Sequence, residues 1–244
     1  MISDGIEQIL RKPGLLLGLA VIPTFAAQAL ALLVARLLGP AVSTEILVTI
    51  VELAGVCAAT VLVTRTVLAL AEGQPMALGE AFASIGAATF RMAGTSIVLG
   101  FVILLGLLLL LVPGILLAAA WAVTIPAAII EDLGPASAAR RSASLTRGHR
   151  REMLTLIMLT QIVVLATSAA IGVMALLPFI GAVLLGILPS AEDYPTLNNV
   201  FTAVGYALSA IMNGTIGVLA WRRLIQIKGE PIPFQTPSPP AMPS

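Results

Sequence analysis

Long apolar runs separated by short polar segments constrain this chain more than any other feature. A helix needs about 20 mainly apolar residues to cross the hydrocarbon core of a bilayer. Only 10% of the 244 residues are charged and 59% are hydrophobic, whereas a soluble domain carries about a quarter charged residues. The pattern predicts an all-α, polytopic membrane bundle of six transmembrane helices, at residues 14–38, 46–71, 93–112, 115–130, 153–177 and 197–225.

The third and fourth runs are not separated by any charge. As one helix, residues 93–130 would be about 57 Å long at 1.5 Å per residue, nearly twice the hydrocarbon thickness. Pro113 lacks a backbone donor and Gly114 admits a left-handed conformation, so this pair predicts a hairpin. A shorter apolar piece, residues 179–188, is predicted to be interfacial or re-entrant because it is too short to span.

The distribution of basic residues predicts the orientation. Short cytoplasmic loops accumulate Lys and Arg. With the N-terminus inside, the outer segments hold only Arg36, and Arg65 lies within the second span. Both termini are therefore expected to be cytoplasmic, in a multi-pass cell-membrane protein; a cleavable signal peptide ending near residue 29 remains an alternative. The cytoplasmic side then holds eleven of the thirteen basic residues: Arg11, Lys12, Arg91, Arg140, Arg141, Arg147, Arg150, Arg151, Arg222, Arg223 and Lys228.

Three amphipathic segments are predicted to lie on the inner membrane surface, at residues 3–10, 78–91 and 135–147. Pro135 suits the first position of a helix and Gly148 its C-terminal stop. Each segment precedes two spans, which fits either a threefold repeat or ordinary amphipathic loops. Residues 1–228 are thus one six-span domain, and residues 229–244, with six prolines, are predicted to be a disordered cytoplasmic tail.

Two charges, Glu52 and Arg65, lie well inside the second span. A charge at the centre of a span costs roughly 2.5–3.5 kcal/mol. Two interpretations remain open. The charges are either structural ion pairs, Glu52 with Arg36 and Arg65 with Glu72, or part of a polar pathway.

Five arginines are predicted to meet the inner surface: Arg140, Arg141, Arg147, Arg150 and Arg151. Each is worth about 1 kcal/mol beside anionic headgroups, so anionic membrane lipids are the predicted partners. Glu131 or Asp132 is expected to pair with Arg140 or Arg141. A role as a topology signal alone remains the alternative.

The chemistry of catalytic and metal sites is poorly represented. The sequence has one histidine, His149, and one cysteine, Cys57. No His, Cys and carboxylate residues stand at metal-ligand spacing, and no glycine-rich phosphate loop precedes a helix. The sequence therefore predicts no cofactor, no catalytic residue, no nucleic-acid partner and no enzyme activity.

A pattern between residues 112 and 148 is similar to a known family. It consists of Val112-Pro113-Gly114-Ile115, Trp121, Pro126, Glu131, Gly134-Pro135, Ala139-Arg140-Arg141-Ser142 and Leu145-Thr146-Arg147-Gly148. It resembles the membrane domain of bacterial glycerophosphoryl diester phosphodiesterases and its stand-alone relatives. The resemblance implies a structural role for Pro113, Gly114, Glu131, Gly134, Pro135, Ser142 and Gly148.

The resemblance implies a membrane architecture and no active site, because hydrolysis in the fused enzymes belongs to a separate soluble barrel. The predicted function is a non-catalytic membrane protein that organises lipid or partner proteins. A small-molecule transporter or channel, and a membrane-embedded lipid or phosphodiester enzyme, are the alternatives.

Overall fold

The computed structural model describes residues 13–39, 41–72, 85–109, 111–184 and 193–231. These residues form helices without any strand, so the all-α prediction is confirmed. The predicted surface segment 3–10, most of segment 78–91 and most of the tail lie outside the described residues. The helices are α1 (Pro13–Leu38), α2 (Val42–Ala71), α3 (Ile85–Leu109), α4 (Leu111–Ala120), α5 (Thr124–Ile130), α6 (Pro135–Leu145), α7 (Arg150–Leu184) and α8 (Asp193–Lys228).

Five of the described helices are long and apolar enough to cross a membrane: α1, α2, α3, α7 and α8. The fourth predicted span corresponds to a shorter apolar segment, Gly114–Ile130, which is divided into α4 and α5. The structure therefore supports a multi-pass helical bundle with five full-length spans.

The chain reverses direction between α3 and α4, but at an earlier position than predicted. A Cβ added at Gly106 would lie 3.2 Å from the Cα of Gly114, eight residues later, which requires the two helices to pack side by side. Pro113 and Gly114 lie within α4 rather than between the helices. Proline is tolerated there because the N–H groups of a first helical turn have no partner inside the helix.

The boundary predicted at Pro178 is also absent. Helix α7 continues through Pro178 to Leu184, so residues 179–184 extend this helix instead of forming a separate interfacial piece.

Helix α2 packs against both α1 and α8, which also pack against each other. Small residues permit these close contacts: a Cβ on Gly55 would overlap Ala27 of α1, and a Cβ on Gly214 would lie 2.8 Å from Val63. Small residues are typical of helix contacts in membranes, where they let backbones approach closely.

The break between α4 and α5 is stabilised by side chains of α6. Pro126 cannot donate to the carbonyl four residues earlier, and the chain turns at residues 121–123. The hydroxyl of Ser142 accepts the Val123 N–H at 3.2 Å and donates to the Ala120 carbonyl at 3.0 Å. Thr146 offers a second hydroxyl to the same carbonyl at 3.0 Å. Helix α6 is thereby fixed against the break.

Helix α6 begins and ends close to the predicted positions. Pro135 is its first residue, and Gly148, in the turn after it, has a φ of +96°, a conformation that favours glycine. The helix buries Ala138, Ser142 and Leu145 along one face and exposes the opposite face.

Candidate functional site: a polar cluster at one end of the bundle

The C-terminal ends of α2 and α8 meet α6 at one end of the molecule. Arg222 donates to the carbonyl of Ala71, the last residue of α2, at 3.0 Å. The Lys228 amine donates to the carbonyl of Arg147 at 3.2 Å. Charged side chains on or directly after five helices, together with Trp221, therefore lie within one layer, which we call the polar end. It comprises Arg65, Glu72, Arg91, Glu131, Asp132, Arg141, Trp221, Arg222 and Glu230.

Glu131, directly after α5, connects three parts of the fold. Its carboxylate accepts the Nε–H of Arg141 at 2.9 Å and the indole N–H of the fully buried Trp221 at 2.9 Å. Arg141 also donates to Glu230, beyond α8. The hydrogen bond to Glu230 is the main reason why the pKa of Arg141 is raised. The predicted pairing of Glu131 with an arginine of α6 is found, with Arg141 as the partner.

Asp132 forms a second group of ionic contacts. Its carboxylate accepts a hydrogen bond from Arg91 at 2.6 Å and lies 3.8 Å from the Arg65 guanidinium. Asp132 has a φ of +53°, which is uncommon for a residue other than glycine. Arg65, which was predicted to reach Glu72, thus contacts the carboxylate that follows α5. The turns at residues 120–123 and at Asp132 are therefore both held by contacts with side chains of other helices.

Glu72 follows the last residue of α2 and carries an unpaired oxygen. Its Oε1 is buried without a hydrogen-bond partner among the described residues. Burial raises the pKa of the Glu72 carboxyl, and the nearby Arg222 charge partly opposes this shift. Glu72 is consequently the member of the polar end whose charge is least well compensated.

The five arginines predicted to meet the membrane surface fall into two sets. Arg141 is turned inward, with a quarter of its side chain exposed (25%), and pairs with Glu131 and Glu230, so its role in headgroup binding stays a prediction. Four others are exposed, and none makes an ion pair with another residue in the described ranges: Arg140, Arg147, Arg150 and Arg151.

The exposed arginines surround the junction of α6 and α7. Arg140 lies on the exposed face of α6, and Arg147 is exposed in the turn that follows this helix. Arg150 and Arg151 open α7, the apolar helix that begins beside them. Four unpaired positive charges are therefore concentrated where an apolar helix starts.

The predicted ion pair between Glu52 and Arg36 is not formed. No salt bridge joins these two residues, both of which lie in the described ranges. Gly55 of α2 lies against Ala27 of α1, which places Glu52 near the level of Leu30. Arg36 lies roughly 9 Å farther along α1, at 1.5 Å per residue, and its side chain is exposed.

His149 lies 3.6 Å from Glu152 in the turn before α7. Within the part of the chain that the structure describes, no group of three or more His, Cys, Asp or Glu side chains is placed to hold a metal ion. Cys57 is a buried packing residue of α2.

Sequence reasoning missed three members of the polar end: Trp221, Arg91 and Glu230. Arg91 was assigned to a surface segment, whereas it contacts Asp132 from within α3. Trp221 could have been identified from the sequence, because it stands beside two arginines at the end of a span and a buried indole N–H usually has a hydrogen-bond acceptor. No pattern in the sequence indicated the contact of Glu230 with Arg141.

Comparisons with family models, curated proteins and solved structures find no match to this chain. The resemblance to the glycerophosphoryl diester phosphodiesterase membrane domain therefore stays a prediction.

Proposed function

We propose that this chain is a non-catalytic, multi-pass cell-membrane protein that binds anionic lipid headgroups at its cytoplasmic end. The four exposed, unpaired arginines at the junction of α6 and α7 carry this proposal. A basic segment beside a membrane attracts anionic lipids by about 1 kcal/mol per arginine. Arg141, on the same helix, is already satisfied by Glu131 and Glu230, so the exposed positions are the ones left available to lipid.

The rigid attachment of α6 supports headgroup binding rather than a simple charge signal. A topology signal requires only positive charge near a span. Here Ser142 and Thr146 bind α6 to the α4–α5 break, and Arg141 binds it to Glu131. The exposed arginines are consequently held at fixed positions on the bundle, which lowers the entropy lost when a headgroup binds.

Lipid retention tests this proposal. The full-length protein is purified in mild detergent and its bound lipids are counted by native mass spectrometry. Changing Arg140, Arg147, Arg150 and Arg151 together to Gln should remove most of the retained anionic lipid. The single change Arg140→Gln should weaken binding about fivefold, which corresponds to about 1 kcal/mol.

Arg36→Gln is the matched control for Arg140→Gln. Arg36 is also an exposed arginine near a helix end, but it lies at the opposite end of the bundle. Its loss should leave retained anionic lipid unchanged. Equal lipid content in the fourfold variant and the parent protein would exclude headgroup binding and leave the arginines as a topology signal.

A second candidate function, a small-molecule transporter or channel, is favoured by one observation. The Gln28 side chain is 4% exposed, and neither of its amide atoms has a hydrogen-bond partner among the described residues. A buried amide without partners in an apolar helix is a position where a polar solute can bind. Loss of solute uptake into vesicles on Gln28→Leu, with unchanged thermal stability, is the expected result for this candidate.

A further inference from the structure

Helix α7 carries polar groups on a face that is exposed in the described part of the structure. Its span, Arg150–Met174, is 6% buried, compared with 22–39% for the other four spans. A helix that only faces lipid needs nothing but apolar side chains there. Helix α7 instead exposes an amide, a hydroxyl and a glycine, at Gln161, Ser168 and Gly172.

These three residues form one stripe. Gln161 and Ser168 are seven residues apart and Gly172 follows four residues later, so all three share one helix face. Met158 and Leu165, both exposed, complete the same face. The spacing of three and four residues is the pattern of a helix seam that packs against a second helix. We call these five residues the α7 seam.

Gln161 is the member of the seam that requires a partner. It makes no hydrogen bond with any described residue. It lies 11 residues after Arg150, about 16 Å along the helix at 1.5 Å per residue, which is near the middle of a hydrocarbon core about 30 Å thick. An amide without a hydrogen-bond partner is unfavourable in a medium that has no hydrogen-bonding groups, so a Gln161 side chain that faces lipid is unfavourable.

We propose that the α7 seam is a homodimer interface, in which Gln161 pairs with Gln161 of a second copy. Both copies insert in the same orientation, so the twofold axis lies along the membrane normal and α7 runs parallel to its counterpart. Each residue then meets itself at the same depth. A glutamine amide is both donor and acceptor, so two copies satisfy one another. Ser168 and Gly172 have the small-xxx-small spacing that lets the two backbones approach.

Cysteine cross-linking in the native membrane tests this interface. In a Cys57→Ala background, Ser168→Cys should form a disulfide-linked species of twice the 25.1 kDa chain mass on mild oxidation. Ala170→Cys is the matched control. It is also exposed, lies about 3 Å away along the axis, and is rotated by about 200°, so it should cross-link weakly. Equal cross-linking at both positions would contradict the proposal.

The amide pair is tested by the fraction of dimer in detergent, measured by native mass spectrometry. Gln161→Leu should lower the dimer fraction several-fold, and Gln161→Asn should restore part of it. Asn213→Leu is the control amide, because Asn213 donates to Ser209 of its own helix, and should leave the dimer fraction unchanged. An unchanged dimer fraction in Gln161→Leu, or a cross-linked species of any other mass, would overturn the assignment to a second copy.

Discussion

Glu131 is the residue on which the polar end depends most. Only 14% of its side chain is exposed, and its two oxygens accept from Arg141 and Trp221. A carboxylate taken out of water is tolerated when such bonds satisfy it, and losing one partner leaves the charge uncompensated. Because its partners belong to α6 and α8, each bond also fixes the position of one helix.

Arg141→Gln should therefore destabilise the protein, by about 1–3 kcal/mol. The change removes the cation that compensates both Glu131 and Glu230. Arg140→Gln, on the next residue of the same helix, should change stability by less than about 0.5 kcal/mol because Arg140 is exposed and unpaired. Thermal unfolding in detergent measures both. Equal stability of the two variants would contradict the inward role of Arg141.

Glu72→Gln should stabilise the protein at neutral pH. Burial raises the pKa of Glu72 in the folded state above its ordinary value of 4.5, so the folded protein binds the proton more tightly than the unfolded chain. The carboxylate therefore lowers stability as pH rises through the folded pKa, and it has no effect below the unfolded pKa. Melting temperatures across pH should show a gain for Glu72→Gln at pH 7 that disappears below about pH 4.5. A gain that is constant with pH would mean that charge is not the cause.

At the scale of single residues, the sequence predicted that charged residues collect near the membrane surface, but it predicted only some of their ion-pair partners. The Glu131–Arg141 pair was expected because the residues lie ten positions apart around a short loop. The Asp132–Arg91 pair joins residues 41 positions apart, and its formation depends on how α3 packs beside α5. The expected Glu52–Arg36 pair assumed that the two residues lie at the same level, whereas the contact of Gly55 with Ala27 sets a register in which they do not.

At the scale of helices, the hydroxyl of Ser142 makes two of the hydrogen bonds that hold the α4–α5 break. Ser142→Ala should cost about 1–3 kcal/mol, because the Val123 N–H and part of the Ala120 carbonyl lose their partners in a buried site. Ser144→Ala is the matched control on the same helix, since its exposed hydroxyl bonds only the local Arg141 carbonyl. Unfolding measurements should separate the two variants clearly; similar losses would show that the break is stabilised by other contacts.

Helix boundaries were predicted well where a local signal sets them. Pro135 and Gly148 mark the limits of α6 because proline suits a first turn and glycine suits a positive φ. Pro113 and Pro178 were misinterpreted for the same local reason, since a proline can equally lie inside a first turn or continue within a membrane helix. Pro126 is a local signal for the break at residues 121–123, whereas Ser142, whose hydroxyl binds the backbone of the break, is distant in sequence.

At the scale of the whole molecule, hydropathy predicted an all-helical membrane bundle but overestimated its regularity. Among the described residues, five helices have the length and composition of spans. The fourth apolar run, residues 115–130, satisfies the hydropathy pattern but is only 16 residues long, and Pro126 makes it discontinuous. Composition does not distinguish two short helices that together cross the membrane from two that enter and leave it on the same side, because both arrangements place the same apolar surface in the membrane.

The orientation of the bundle is the last prediction, and two serines at opposite ends test it. Ser43 lies in the first turn of α2, and Ser144 lies on α6 beside the polar end; both are exposed. Basic residues concentrate at the Ser144 end, which the positive-inside rule assigns to the cytoplasm. In a Cys57→Ala background, a membrane-impermeant maleimide should label Ser43→Cys in intact cells. It should label Ser144→Cys only after the membrane is opened. Labelling of Ser144→Cys in intact cells, with Ser43→Cys protected, would reverse the orientation and place the exposed arginines outside.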